Sequence, residues 1–395
     1  MGPWLYLDTA RLGQMSPAAQ RAQQDFACLA GEVGAAIQLE EFLRHGFEAC
    51  DASLRCRLPG LCSWRGITEL KQSLRQLAGF DDQLPLLLAA RSAELMKFAA
   101  MLLCRPCRNI LVTDLGWPPY QRILATECRR TDRRLTVVSL ADDVLHGRLD
   151  ADDVVARVRD EYVAQRCDGL FLTAVSNLGA RLPINKITQS VGEQCRFVVV
   201  DGAQDFCHVG LDVSCDGCDL YLASCHKWLG GYHPLGLAFY GRRRSRRPIE
   251  IMLGEALKNR QVEDPLLCFV ESLHSGNRRD AGETVNLAAL FSCGRAIHDA
   301  THGENIDGGL MEQLKNGDRV TEAAQEAGWR PWSPDASLRS GIVVLEAGDS
   351  RPECREPELL RKAFHEHGVA LTAYKCKRRS KSAALGGLPM VGRKV

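Results

Sequence analysis

The sequence predicts an α/β protein built on a mostly parallel sheet, and three observations carry that expectation. Short apolar, β-branched runs recur across residues 86–240, helical patterns separate them, and turn residues with reactive side chains close two of the runs. Apolar runs bounded by turn signals are the mark of strands buried on both faces. Strands alternating with helices imply parallel pairing, with the helices packed on both faces of the sheet.

Each element follows in chain order. Ser16-Pro17 heads a helix over 16–29, since Ser caps a first turn and Pro suits its opening position. The stretch 30–65 mixes Gly, Cys and charge and supports no functional assignment. A helix is expected over 67–77, then a strand over 86–90 that runs through Arg91-Ser92 into an apolar helix over 93–103. Further strands are expected at 109–113, 135–139, 170–175, 196–200, 220–223 and 235–240, with a helix over 152–165, giving seven strands in all. Polar helices around 287–300 and 309–327 precede a strand at 340–346, a helix at 356–367 and a strand at 369–374. This pattern predicts a large domain over 16–287 and a smaller α+β domain formed by 1–15 and 288–395.

Bulk properties narrow the function. With 45% apolar and 25% charged residues the composition is that of an ordinary globular protein, and a net charge of +1 gives no general pull toward nucleic acid or anionic lipid. No uncharged apolar stretch approaches the ~20 residues a membrane helix needs. The N-terminus carries no basic segment followed by an apolar one, so the expected location is cytoplasmic. Seventeen scattered cysteines in such a chain read as reduced thiols. The CxxC spacings Cys104/Cys107 and Cys215/Cys218 lack flanking ligands, and no metal site is expected. The arginines at 242–244, 246 and 247 read as a solvated turn.

The chemistry concentrates at strand ends. Asp201-Gly202-Ala203-Gln204 closes the run Phe197-Val198-Val199-Val200, and Ser224-Cys225-His226-Lys227 closes Leu220-Tyr221-Leu222-Ala223. Ligands of open α/β sheets collect at the carboxyl ends of strands, so a carboxylate and a lysine reach one rim. Pyridoxal 5'-phosphate needs that pair: a Lys for the Schiff base and an Asp for the pyridinium nitrogen. Taken alone, Lys227 is a solvated charge and Asp201 a turn former. The neighbouring Ser224, His226 and Gly230-Gly231 change the reading of the lysine, and a protonated pyridine nitrogen would supply the partner that a buried Asp201 needs. Gln204 is placed to meet the cofactor's phenolic oxygen, while Ser224 and His226 can donate to a phosphate. Ala90-Arg91-Ser92-Ala93-Glu94 stands at a strand-to-helix junction, where free N–H groups attract phosphate. Trp117 offers a ring for stacking, or is a packed loop aromatic. Asn177, in Ser176-Asn177-Leu178-Gly179, faces the cofactor or substrate, or forms a plain turn. Thr284, in Gly282-Glu283-Thr284-Val285-Asn286, offers a hydroxyl to phosphate, or belongs to a helix cap.

These residues resemble the class V aminotransferase family of fold-type I pyridoxal-phosphate enzymes, which includes cysteine desulfurases, kynureninase and isopenicillin N epimerase-like proteins. The resemblance runs from about Tyr6 to about Tyr374 and is most specific in Asp201-x-x-Gln204 with Ser224-x-His226-Lys227. It implies an enzyme that acts on an amino acid through a Lys227 Schiff base and a quinonoid intermediate. Catalysis would rest on Lys227, Asp201 and His226. Ser92, Ala93, Glu94, Trp117, Asn177, Gln204, Ser224 and Thr284 would bind cofactor, the last from the second subunit of a homodimer. The family's substrate-binding Arg has no convincing match here; Arg378, Arg379 and Arg339 are the candidates, with Asn177 beside them. An aminotransferase or related amino-acid lyase ranks first, cysteine desulfuration through Cys376 second, and a non-catalytic scaffold third.

Overall fold

The computed structural model describes residues 4–34, 37–81, 83–209, 217–232, 234–275, 284–302, 309–346 and 356–374. The chain divides into two compact units, Thr9–Glu346 and Met1–Asp8 with Ala347–Val395.

Along the chain the described elements are β1 (Leu5–Tyr6), α1 (Pro17–Val33), α2 (Ile37–His45), α3 (Ala52–Arg57), α4 (Ile67–Leu77), β2 (Leu86–Ala89), α5 (Ser92–Cys104), β3 (Asn109–Thr113), α6 (Pro118–Arg130), β4 (Arg134–Val138), α7 (Ala141–Leu145), α8 (Ala151–Ala164) and β5 (Gly169–Thr173). They continue with α9 (Ile184–Val191), β6 (Phe197–Asp201), β7 (Leu220–Ser224), β8 (Gly236–Tyr240), α10 (Arg243–Lys258), α11 (Pro265–Ser275), α12 (Ala288–His302), α13 (Gly309–Glu326), β9 (Arg330–Pro331), β10 (Leu345–Glu346), α14 (Pro357–Glu366) and β11 (Val369–Ala370).

The helix starts show why these segments fold where they do. Ser16 Oγ accepts from Ala19 N at 3.0 Å with Pro17 just inside α1. Asp150 and Asp153 cap one another's backbone at the head of α8.

Seven strands form one sheet in the order β2-β8-β7-β6-β5-β3-β4. Only β8 runs antiparallel to its neighbours, so the expected mostly parallel sheet is present. Alternate residues face opposite layers. Val112, Phe171, Val199 and Leu222 pack toward α5 and α6; Leu111, Leu172, Val200 and Ala223 pack into the opposite core with α8, α9 and α12. On that second side Phe291 of α12 stacks on Phe26 of α1, with centroids 4.0 Å apart. Because both faces are covered, β5, β6 and β7 are buried throughout.

Three expectations change. The arginine run is the first turn of α10: Arg242 pairs with buried Asp219, Arg243 with Asp81 and Arg246 with Glu250. The strand expected at 340–346 pairs only at Leu345–Glu346, against β9. The strand expected at 369–374 pairs only at Val369–Ala370, in parallel with β1 inside the second unit. There Thr372 Oγ1 donates to Asp8 at 2.6 Å.

Candidate active site

Six parallel strands bring their carboxyl ends to one rim. Asp201 is the last residue of β6 and Thr173 the last of β5; the two are register partners, so their side chains share the face toward α5 and α6. Ser224 ends β7 opposite Gly236, which also pairs with Ala89 of β2. A Cβ on Gly236 would lie 2.5 Å from Ser92 N, so only glycine lets the start of β8 pass beneath the first turn of α5. The ends of β6 and β7 and the head of α5 therefore meet at one rim.

Asp201 is buried at 3% exposure and accepts from Ala203 N through Oδ1 at 3.1 Å. Burial raises its carboxyl above the usual range, opposed by Ala203 N–H and the charge of Lys227. Burial likewise lowers the Lys227 ammonium, and Asp201 opposes that shift. His226, between Ser224 and this lysine, is pushed down to about 4 by burial and then by Lys227, so its imidazole is neutral at pH 7. Gly202 makes the carboxylate turn possible: a Cβ there would sit 2.0 Å from the ring of Tyr221, whose hydroxyl donates to Asp205 at 2.8 Å.

Ser224 Oγ, His226 Nδ1 and Thr173 Oγ1 are buried and find no hydrogen-bond partner among the described residues. Folded proteins rarely leave such atoms unpaired, and their grouping beside Asp201 and Lys227 marks a place for a polar ligand. The head of α5 adds donors. Arg91 gives it no side-chain cap, leaving Ser92 N and Ala93 N at the positive end of the helix. Glu94 is the exception: its N–H turns back to Arg91 O at 3.1 Å and its carboxylate pairs with Lys97 at 2.7 Å, so it offers a phosphate nothing.

The other expected residues divide. Gln204 donates from Nε2 to Ala10 O at 2.8 Å and accepts at Oε1 from Trp228 Nε1 at 2.9 Å, leaving one amide N–H for a ligand. Trp117 lies just before α6 at 39% exposure. Asn177 is half-buried in a turn that Ser176 Oγ holds by accepting from Leu178 N and Ala180 N. Thr284 is exposed ahead of α12. Arg339 donates to Asp318, so a substrate carboxylate would have to displace that partner. Arg378, Arg379 and Cys376 lie outside the described residues, as does Cys215. Among the described residues no group of three or more His, Cys, Asp or Glu is arranged to hold a metal ion.

Sequence reasoning missed Thr173, Tyr120 and Asp264. Tyr120 of α6 donates to Ser92 Oγ at 2.8 Å, and burial and the charge of Asp201 push its phenol up. Asp264 accepts from Ala90 N with both oxygens at 2.9 Å and from Leu267 N at 3.0 Å, fixing the step from β2 into α5. Thr173 alone had a visible signal, a hydroxyl within the 170–175 run.

A family model, aminotransferase class V, matches residues 66–299. The chain belongs to the class V aminotransferase family. It is similar to a probable cysteine desulfurase of Pseudomonas putida, at 29% identity over 215 residues that cover 49% of each chain. It is also similar to a cysteine desulfurase of an Enterobacter species, at 28% identity over 53% of this chain and 50% of that one. The chain spans about half the length of these curated relatives. Among solved structures it resembles the cysteine desulfurase CsdA of Escherichia coli, with a TM-score of 0.63 at 18% identity over 93% of this chain and 84% of that one. Alanine–glyoxylate aminotransferase of Nostoc sp. has a TM-score of 0.63 at 15% identity, covering 94% and 86%. These likenesses show the fold of the pyridoxal-phosphate aminotransferases.

Proposed function

We propose that this family member is a pyridoxal 5'-phosphate enzyme acting at the amino-bearing carbon of an amino acid, with Lys227 as the cofactor's attachment point. The observation that carries it is the electrostatic coupling of buried Asp201, at the end of β6, with half-buried Lys227, in the turn after β7, beside the unpaired Ser224 Oγ, His226 Nδ1 and Thr173 Oγ1. The donor set fits the group. Ser92 N, Ala93 N, Ser224 Oγ and a neutral His226 would hold the phosphate, and the Asp201 carboxylate would keep a proton on the ring nitrogen. The cofactor supplies an aldehyde that captures amines and a ring that accepts the electrons of a broken substrate bond.

The chain's own part is electrostatic. Burial moves Lys227 toward the neutral amine, which makes Nζ a nucleophile and then a base at the substrate carbon. Tyr120 fixes Ser92 and Asp264 fixes Ala90, so the phosphate donors are set before a ligand arrives. Transfer of the amino group, or a related elimination, is the first reading. The test is spectroscopic: protein supplied with cofactor should gain a visible band and yield a Lys227 adduct on borohydride reduction, and Lys227→Ala should show neither. Wild-type protein that stays colourless would favour a non-catalytic scaffold.

The names of the curated relatives favour a second reading, removal of sulfur from cysteine. With a thiol reductant supplied to free the transferred sulfur from the acceptor's persulfide, sulfide formation from cysteine that disappears in Cys376→Ser would support it. Release at an unchanged rate in that variant would exclude Cys376 as the acceptor.

A further inference from the structure

Lys227 does not sit on a strand. β7 ends at Ser224, and the lysine lies in the turn that follows. Main-chain hydrogen bonds close that turn: Gly231 N to Cys225 O at 2.9 Å, Gly230 N to Lys227 O at 3.1 Å, and Gly13 N to His226 O at 2.8 Å. These set the path of the backbone, and the next side chain anchors it to the rest of the site. The Trp228 ring lies flat on His208, with centroids 3.5 Å apart and planes 7° from parallel, while Nε1 donates to Gln204 Oε1.

The far side of this contact is itself fixed. His208 Nε2 accepts from Gly341 N at 3.1 Å, so the ring proton is on Nδ1, which donates to Gln204 O at 2.8 Å. A Cβ on Gly341 would lie 2.8 Å from His208 Nε2, so glycine is what allows the approach. Gln204 is tied to Ala10 O. The Trp228 ring thus docks on groups drawn from near residues 10, 204–208 and 341, all in one unit.

We propose that Trp228 is the positioning residue for Lys227, holding the amine-bearing turn against a bracket made by His208 and Gln204. The proposal rests on Lys227 being the cofactor's attachment point. A lysine has a long, rotatable stem, and a misplacement of ~1 Å at a reacting group can cost on the order of 100-fold in rate. Anchoring the following residue fixes the Cα from which that stem departs. It also gives the Gln204 side-chain oxygen its partner, the Trp228 N–H.

The test compares Trp228→Leu, which removes both ring stacking and donor, with Trp228→Phe, which keeps an aromatic face but has no N–H. The rate of covalent capture of pyridoxal 5'-phosphate by Lys227 is followed by borohydride reduction and peptide mass. Affinity for pyridoxine 5'-phosphate, which has no aldehyde, reports the phosphate and ring contacts alone. Capture is expected to slow at least ~10-fold in the Leu variant and ~3-fold in the Phe variant, the effect of one lost hydrogen bond. Pyridoxine phosphate affinity should stay within about twofold of wild type in both variants, because Gln204 keeps its tie to Ala10 O, and Tyr120, Asp264 and Ala203 N hold the phosphate donors and Asp201 without Trp228. Wild-type capture rates, or a parallel loss of pyridoxine phosphate affinity, would overturn the proposal. Should the Leu variant fail to fold, the Phe variant decides. A wild-type protein that captures no cofactor would instead sink the reading of Lys227, so the two failures are distinct.

Discussion

Lowering the pH from 7 to 5 tests the Trp228–His208 contact from another direction. Burial pushes His208 down to about 4, against an ordinary value near 6.5, and Gly341 N–H occupies the nitrogen that a second proton would need. Between these two values the unfolded chain binds a proton that the native protein refuses. The stability due to His208 is therefore complete above pH 6.5 and is lost as the pH falls toward 4. Working the linkage from pH 7 to pH 5 with those values gives a loss of about 2 kcal/mol from this one residue. Urea unfolding of cofactor-free protein at the two pH values measures it, alongside His208→Phe, which keeps a ring against Trp228 but cannot titrate. The variant is expected to be less stable at pH 7, since Gln204 O and Gly341 N lose their partner, yet its drop between pH 7 and 5 should be smaller by about 2 kcal/mol. His226 titrates in both proteins and cancels in the comparison. An equal drop in both would refute the argument that His208 is held neutral by this packing.

Three further outcomes follow from single contacts. Gly13→Ala would place a Cβ 1.8 Å from Lys227 O, so the segment must retreat and surrender its bond to His226 O; a stability loss of about 1–3 kcal/mol is expected, and a wild-type melting temperature would contradict it. Asp219→Ala strips buried partners from Val198 N, Ser245 Oγ and Arg242, and should cost about 3–5 kcal/mol in urea unfolding; a loss below 1 kcal/mol would show that solvent reaches Arg242. Ser224→Ala removes a buried hydroxyl that has no partner, so cofactor-free stability should hold or rise by up to ~1 kcal/mol while cofactor affinity falls ~10-fold or more. A variant that loses stability but keeps affinity would show that Ser224 serves the fold instead.

The sheet was legible because burial on both faces writes a strand as an unbroken apolar run. Residues 109–113 and 197–200 show this, and both form strands. Direction is not written that way. Nothing in Gly236–Tyr240 distinguishes the antiparallel β8 from its parallel neighbours, since its side chains meet the same two apolar layers. The arginine run misled for a related reason. Its character as a helix start depends on Asp219 and Asp81, the second of which lies 162 residues from Arg243. Asp201, Ser224, His226 and Lys227 could be read because each stands where an apolar run ends in polar residues. Tyr120 and Asp264 could not, because Tyr120 reaches Ser92 only once α6 lies beside α5, and Asp264 reaches Ala90 across 174 residues.

These same contacts explain why a costly site persists. Without a ligand, Asp201 and Lys227 are both displaced toward neutrality by burial, and Ser224, His226 and Thr173 each keep a polar atom dry and unpaired. Such atoms cost about 1–3 kcal/mol apiece. An unsupported rim would relax by turning these side chains toward one another or toward water. The surrounding packing blocks that escape: Gly236 seats the start of β8 under Ser92, Gly13 lies against the backbone of Lys227, and Trp228 is stacked on His208. Rigidity at the edge of the site is thus what keeps its centre unsatisfied, and under the proposed function such a centre would take a phosphate and a ring nitrogen without first breaking bonds of its own.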